Sequence, residues 1–222
     1  MGTAIKEKKQ WFAQASELFV DIDTVPIGGS NFYLAIKRLG DILLSLFGII
    51  LLFIPMLIIA VIIRFDSKGP VIYSQERLGL YGKPFIIYKF RTMALDAESC
   101  GPKWADVNDQ RCTRVGRMLR QTRLDELPQL YNILVGDMTL VGPRPERECF
   151  YLLFEKEIPG FKNRMVVTPG LTGHAQVNGG YSLPPEEKII FDMEYIEKRS
   201  FKMDLQCIWQ TIRVVVFRED AR

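Results

Sequence analysis

Residues 42–63 read ILLSLFGIILLFIPMLIIAVII, 22 positions without a charged side chain. A straight α-helix of that length measures about 33 Å, enough to cross the hydrocarbon core of a bilayer. The run starts too late and is too long for a secretory signal, and no A-x-A-like cleavage site follows it. Lys6 stands where a myristoylation motif beginning at Met1-Gly2 needs Ser or Thr. A buried core helix is the other structure such a run can form. Pro55 divides it into 13 residues (42–54) and 8 residues (56–63). The ring removes a backbone hydrogen bond and crowds the preceding turn, so a kink is expected there. The two pieces measure about 20 Å and 12 Å, and neither crosses alone. Lys37 and Arg38 precede the run while Arg64 and Lys68 follow it, so positive charge flanks both ends and sets no orientation. A helix that dips, bends and returns to the same face satisfies these residues. So does a kinked helix that spans.

The whole chain has 222 residues, 48% hydrophobic and 25% charged, which suits one medium domain or one domain plus an anchor. A formal net charge of +3 is too small to argue for nucleic acid, and no such partner is expected. The single histidine, His174, excludes zinc sites built on His pairs. It also leaves one candidate base for a Ser-His or Cys-His relay. Cys100, Cys112, Cys149 and Cys207 form no C-x-x-C and read as free thiols of a reducing compartment. A metal site made of carboxylates stays open.

Ahead of the apolar run, residues 1–34 mix Lys6, Lys8 and Lys9 with Trp11, Phe12, Leu18 and Phe19, then turn Gly-rich at Gly28-Gly29. They read as an amphipathic or mobile leader. The membrane helix is taken as 35–66 and the rest of the chain as 67–222. VIYSQ (71–75) and FIIYKF (85–90) flank the turn-rich RLGLYGKP and predict a β-hairpin. Gly79 and Gly82-Lys83 lack the spacing and the closing Ser/Thr of a phosphate loop, so this connection reads as a plain turn. Residues 94–113 read as a polar loop or short helices, and Val115–Leu119, Pro185–Arg199 and Asp204–Phe217 as helical. In the last of these, Leu205, Ile208, Trp209, Ile212, Val215 and Val216 make one apolar face, suited to a core or to a bilayer surface.

The chemistry lies in MLRQTRLDELPQLYNILVGDMTLVGPRPERE, residues 118–148. Leu127, Leu130, Tyr131 and Leu134 share a helical face, and Gly136 is a natural stop. Pro128 belongs in a first turn, where its missing N–H costs nothing. Asp125 then falls near the N-cap and Glu126 near the first helical position, where free backbone N–H groups and the helix dipole favour a carboxylate. An isolated Asp-Glu there is most simply a cap. Its surround argues for more. Arg120 and Arg123 stand upstream, and Pro143-Arg144-Pro145 holds an arginine between two residues of fixed φ. Arginines around a helix N-terminus make a phosphate site. An ionised Asp within one can attack phosphorus, and the adjacent Glu can hold a Mg²⁺ that offsets phosphate charge.

Taken in order, several stretches resemble the bacterial sugar transferases, the monotopic polyprenyl-phosphate phosphoglycosyl transferases. They are KRLGDILLS (37–45), the Pro55-broken run, GPVIYSQERLG (69–79), FIIYKFRTM (85–93), LRQTRLDELPQLYNILVGDMTLVGPRP (119–145) and TPGLTGHAQVNG (168–179). The resemblance covers about Ala35 to Phe217. It implies an α/β, mostly α, fold: a small mixed domain with a β-hairpin and several helices. A re-entrant membrane helix bent at Pro55, with interfacial amphipathic helices, would anchor this domain to the cytoplasmic face of the bacterial inner membrane. The implied reaction moves a sugar-1-phosphate from a UDP-sugar to undecaprenyl phosphate and releases UMP. It would be the first membrane step of a surface polysaccharide or glycoconjugate such as an exopolysaccharide.

Carried over by motif, Asp125 is the nucleophile that takes a covalent phosphosugar and Glu126 assists it, the two holding Mg²⁺ as cofactor. Arg120, Arg144, Lys89 and Arg91 bind substrate phosphate. Lys37, Arg38 and Asp41 meet the carrier-lipid headgroup, and Gly173, His174, Gln176 and Asn178 form a nucleotide-sugar segment. The implied partners are the UDP-sugar, undecaprenyl phosphate, the lipid bilayer and a second copy of the chain as a homodimer. Three departures bear on this reading. Ile54 precedes the proline where many members carry Ser, His174 replaces a residue that is often Trp, and Gly180 follows Asn178-Gly179 where many have Arg. The sugar is left open, and catalytic base is the other role open to His174. Residues 1–34 fall outside the match, and the chain resembles the compact members. Two further readings use the same groups: a membrane-bound Mg²⁺-dependent phosphohydrolase, and a non-catalytic scaffold, against which the intact Asp125-Glu126 pair speaks.

Overall fold

The computed structural model describes residues 25–95, 97, 101, 109–179 and 183–217, the last three for backbone only. Lys6 to Phe19 of the expected leader, Cys100, Gly180 and the side chains of Val215 and Val216 lie outside the described residues. Helix α1, Asn31–Asp66, contains the whole apolar run. Ser30 caps it, its hydroxyl accepting from the Tyr33 N–H at 3.2 Å. The helix begins four residues before the expected Ala35 and runs unbroken through Pro55. Just upstream, Val25 is buried and the Gly28 N–H donates to the Ile196 carbonyl at 2.9 Å, so this end of the expected leader is docked.

Only 11% of the most apolar window of α1 is buried, which removes the core-helix reading. Leu43, Phe47, Ile50, Leu51 and Ile54 are exposed. The opposite face packs against the folded domain along most of its length. Ile49 and Leu52 join a cluster around Ile87, Leu130, Ile133 and Met138. Ile59 and Ile63 join Phe90 and Leu119.

The expected hairpin is present: β1, Ile72–Leu78, pairs antiparallel with β2, Pro84–Phe90, from Ile72 opposite Phe90 to Leu78 opposite Pro84. Its connection is a 3₁₀ turn, Leu80–Gly82, in which Tyr81 and Gly82 take positive φ, a turn and not a phosphate loop. Helix α2, Arg114–Gln121, is followed by a 3₁₀ turn at Leu124–Glu126 and by α3, Gln129–Val135, which stops at Gly136 with φ 101°. Two three-residue strands, β3 (Thr139–Val141) and β4 (Gly170–Thr172), form a parallel pair that the sequence reading missed. Then come α4 (Glu148–Glu157), a 3₁₀ stretch at Phe161–Val166, α5 (His174–Gly179), α6 (Pro185–Lys198) and α7 (Phe201–Phe217).

The main core gathers Val141, Tyr151, Phe154, Phe161, Met165 and Ile196. Helix α7 meets it through Cys207 and Ile208, and Asp204 is also buried. Leu205, Trp209 and Ile212 point outward with Phe201, Leu205 being 66% and Trp209 64% exposed. Of the four residues of the expected apolar face whose side chains are described, only Ile208 packs on the core. Spaced at intervals of four and three, the other three form an outward stripe of the kind that suits a membrane interface. Cys112, Cys149 and Cys207 are free thiols, as expected.

Candidate active site

Asp125 and Glu126 do not cap a long helix. They sit in the 3₁₀ turn, entered through Arg123 in the left-handed conformation (φ 59°, ψ 11°), and α3 begins three residues later. Leu119 is buried against Ile59 and Ile63 of α1, and Leu124 and Leu127 pack on the same cluster. With the apolar residues of the turn fixed against α1, both carboxylates line a cavity of about 490 Å³. In α3 the buried face is Gln129, Leu130, Asn132 and Ile133, while Tyr131 is half exposed, so the expected Leu127/Tyr131 face is rotated. Gln129 and Asn132 are polar yet fully buried. Asn132 repays this by donating to the Ile86 carbonyl at 2.7 Å and accepting the Tyr88 N–H at 3.2 Å, which fixes β2 beside the acidic turn.

On β2, Ile87 is in the core and Lys89, two residues on, lines the cavity. Its Nζ lies 2.9 Å from Glu126 Oε1. Arg144 reaches the same carboxylate at both oxygens, Nη1 to Oε2 at 3.4 Å and Nη2 to Oε1. The Pro-Arg-Pro segment that presents it crosses the TPGLTG segment with no room for side chains. A Cβ on Gly170 would lie 2.1 Å from the Gly142 nitrogen, and one on Gly173 would lie 2.2 Å from the Gly142 oxygen. Gly142 N–H donates to Thr172 and Gly170 N–H to Pro143, at 2.8 and 2.9 Å.

Asp125 differs from its neighbour. It is 7% exposed, as is Glu126, yet it has no hydrogen bond or ion pair among the described residues. Burial, then the charge of Glu126, pushes its carboxyl up to about 6 against the opposing Lys89, Arg120 and Arg144. Burial alone would also raise Glu126, but Arg144 and Lys89 outweigh it and hold that carboxyl well below the usual range. Lys89 is itself pulled down, first by burial, with Glu126 opposing. Two adjacent acids thus have their affinities for protons driven apart, a pattern found where carboxylates take different chemical roles.

The other expected residues divide. Arg120 lines the cavity and donates from Nε to Thr92 Oγ1 at 3.0 Å. Arg91 also reaches it, but its guanidinium donates to the Ser67 and Pro70 carbonyls at 2.7 and 2.5 Å, closing the segment after α1. Lys37 pairs with Asp204 at 2.8 Å, Arg38 donates to the Ile133 and Leu134 carbonyls, and Asp41 accepts from Thr139 Oγ1 and the Leu140 N–H. These three groups, assigned by motif to the lipid headgroup, are engaged in docking α1. Gly173 serves the tight crossing. His174 bonds Glu194 at 3.3 Å and Asn178 at 3.1 Å, and neither His174 nor Asn178 lines the cavity. Gln176 donates to Leu171 and lines a separate pocket of about 20 Å³ beside Arg144 and Lys188. The sequence reading missed Arg77, Glu146, Arg147, Lys188 and Phe150 of the cavity lining. The signal for Glu146 and Arg147 was their place directly after Pro-Arg-Pro.

Among the described residues no three His, Cys, Asp or Glu side chains come together as a metal cage. That does not disfavour magnesium, which keeps several waters and commonly takes one or two carboxylates plus substrate phosphate oxygens. The unpaired Asp125 beside Glu126 fits such a sparse donor set.

A family model described as bacterial sugar transferase matches residues 32–218. The chain is 42% identical over 196 residues to the UDP-N-acetylgalactosamine-undecaprenyl-phosphate N-acetylgalactosaminephosphotransferase of Aeromonas hydrophila, covering 87% of this chain and 46% of that protein. It is 40% identical over 192 residues to the UDP-glucose:undecaprenyl-phosphate glucose-1-phosphate transferase of Klebsiella pneumoniae, covering 84% of this chain and 41% of that one. The exopolysaccharide production protein PSS of Rhizobium leguminosarum bv. phaseoli is 38% identical over 188 residues, with 81% of this chain and 94% of the relative covered. The chain therefore spans less than half the length of the Aeromonas and Klebsiella relatives.

Proposed function

The chain belongs to the bacterial sugar transferase family, and on that premise we propose that it moves a sugar-1-phosphate from a UDP-sugar to undecaprenyl phosphate, with Asp125 as nucleophile. The observation that carries this reading is the contrast within the acidic pair. Lys89 and Arg144 are committed to Glu126, which leaves the Asp125 carboxylate unpaired on the wall of a cation-lined cavity. In the first half-reaction an Asp125 oxygen attacks the sugar-bearing phosphorus, the bond from that phosphorus to the bridging oxygen breaks, and UMP departs with that oxygen. In the second, a phosphate oxygen of the carrier lipid attacks the same phosphorus. The Asp125 carboxylate is regenerated and the lipid diphosphate-sugar is formed. Arg144, Lys89 and Arg120 offset the charge that gathers on the phosphoryl oxygens. Asp125 and Glu126 would hold magnesium, which when bound neutralises phosphate charge and favours ionised Asp125.

The attachment of α1 supports a membrane-embedded rather than a membrane-crossing anchor. Tyr33 and Lys37 near its start bond Asp204, and Ile59 and Ile63 near its end pack on Phe90 and Leu119, all in one domain. A crossing helix puts its two ends on opposite sides of the bilayer, which this domain cannot follow without taking its charged residues into hydrocarbon. Entry and return at one face, with Pro55 at the exposed surface as the place to bend, meets both demands. The outward stripe of α7 would lie in the same interface, on the cytoplasmic side where UDP-sugars are made. The test is UMP release by detergent- or nanodisc-held protein with Mg²⁺ and undecaprenyl phosphate, across a panel of UDP-sugars. Multiple-turnover release that depends on the lipid, with at least one donor and lost in Asp125→Asn, is expected. Release unchanged by that variant overturns Asp125 as nucleophile.

A further inference from the structure

Glu146 repeats, in the lining of the same cavity, what Glu126 does beside Asp125. It is buried at 7% exposure and gathers two cations from two other elements: Arg77 of β1 at 3.1 Å and Lys188 of α6 at 3.5 Å. Arg77 is also oriented by Gln75, which accepts from Nη2 at 2.7 Å, and by the Pro145 carbonyl. The backbone joins in, since the Leu78 N–H donates to the Glu146 carbonyl at 3.1 Å. All three charged side chains line the same cavity as Asp125. Burial lowers the proton affinity of both Arg77 and Lys188, with Glu146 opposing. Two cations share the one carboxylate of Glu146, and the charge of Arg144 opposes both, an excess of positive charge that a bound anion would relieve.

The charges that bear most strongly on Asp125 are those of Glu126, Lys89, Arg120 and Arg144. Glu126 gathers Lys89 and Arg144 while Glu146 gathers Arg77 and Lys188, so the cations of the lining fall into two groups, each held by its own carboxylate. A UDP-sugar carries two phosphates, one that is attacked and one that leaves on the nucleotide. We propose that Glu146 is a positioning residue that presents Arg77 and Lys188 as a second phosphate-binding arm, directed at the phosphate that departs with the nucleotide. This rests on the transferase reading above and assigns a part of the donor to residues outside the acidic pair.

The experiment is titration calorimetry of the whole detergent-held protein with UMP and, in parallel, uridine, which lacks the phosphate. Wild type is expected to bind UMP at least tenfold tighter than uridine. Lys188→Met should weaken UMP at least tenfold and leave uridine within twofold, while Lys188→Arg retains most of the UMP affinity. Glu146→Gln, which keeps the shape but not the charge, should weaken UMP about three- to tenfold and raise the donor KM in step, with kcat changed less. Uridine binding also reports that a variant is folded. UMP affinity within twofold of wild type in both Lys188→Met and Glu146→Gln overturns the assignment. Equal loss of UMP and uridine overturns it as well, because it marks a structural role. Absence of any UMP preference in wild type contradicts the donor reading itself.

Discussion

Arg144 gives its guanidinium to Glu126 and not to Asp125, although the two carboxylates are adjacent in sequence and equally buried. That choice separates their roles. The paired acid stays ionised and holds the cations in place, and the unpaired acid is left with a raised proton affinity and an open path to the cavity.

Asp125 should therefore cost the fold stability. Its carboxyl is raised from the ordinary 3.8 to about 6, so the folded state binds the proton more tightly than the unfolded chain does. Stability from this group is highest below about pH 4, falls between about pH 4 and 6, and stays low above. Asp125→Asn should raise stability at pH 7.5 by about 1–3 kcal/mol, a gain of several degrees in Tm. The gain should vanish at pH 4. Thermal unfolding of both proteins across that range checks the sign.

The same ionisation governs the first half-reaction. In magnesium-free buffer a bound UDP-sugar, itself an anion, does nothing to relieve the raised proton affinity of Asp125. Single-turnover UMP formation should then rise with pH through about 6, the value for this carboxyl, and bound magnesium should move that limb to lower pH. A quenched-flow pH series with and without the metal reads both limbs.

Removing one partner of Glu126 should cost the stability that removing Asp125 gains. Arg144→Met takes from a buried carboxylate the guanidinium that meets both its oxygens, a change that typically costs about 3–5 kcal/mol. Its effect on UMP release should be on the order of 10²–10³-fold, since charge on the phosphoryl oxygens also loses its partner. Arg144→Lys keeps the charge without the planar fork and should fall between. Unfolding and initial-rate measurements on the two variants give the order.

Asp41 tests whether the charges at the start of α1 serve docking. It accepts from Thr139 Oγ1 at 2.7 Å and from the Leu140 N–H at 2.9 Å. Asp41→Ala leaves both donors short of a partner and should cost about 1–3 kcal/mol in detergent. The KM for the carrier lipid should stay within twofold. A raised carrier KM with stability intact would return Asp41 to the headgroup.

The stripe on α7 should act on membrane affinity and not on folding. Trp209 is 64% exposed, so Trp209→Glu should leave the Tm in detergent within a degree or two while weakening retention on anionic liposomes severalfold. Flotation of protein reconstituted from detergent separates the two effects.

Periodic features were legible in the sequence. The apolar run, the hairpin, the Gly136 stop and helices α6 and α7 all follow from spacing and breakers that act within a few residues. The β3–β4 pair was not, because three-residue strands carry no period and are held by glycines meeting across 28 positions, Gly142 against Gly170. The acidic pair was found by its basic surround, yet its setting differed. Pro128 permits a longer helix, but the packing of Leu124 and Leu127 on α1 tightens the turn before it. Charges flanking an apolar helix naturally suggest lipid phosphate. Only tertiary structure shows Lys37 spent on Asp204 and Arg38 on the end of α3. Arg77 and Lys188 lie 111 positions apart, so nothing local could have joined them to Glu146.

The central claim is that Asp125 becomes covalently phosphorylated by the donor. Intact-protein mass spectrometry after incubation with Mg²⁺ and an accepted UDP-sugar, without carrier lipid, tests it most directly. The account predicts a mass increase equal to one sugar phosphate, located at Asp125, absent in Asp125→Asn and discharged when undecaprenyl phosphate is added. UMP that forms only with both substrates present, with no adduct at any time under rapid acid quench, would contradict it and point to direct transfer between donor and lipid.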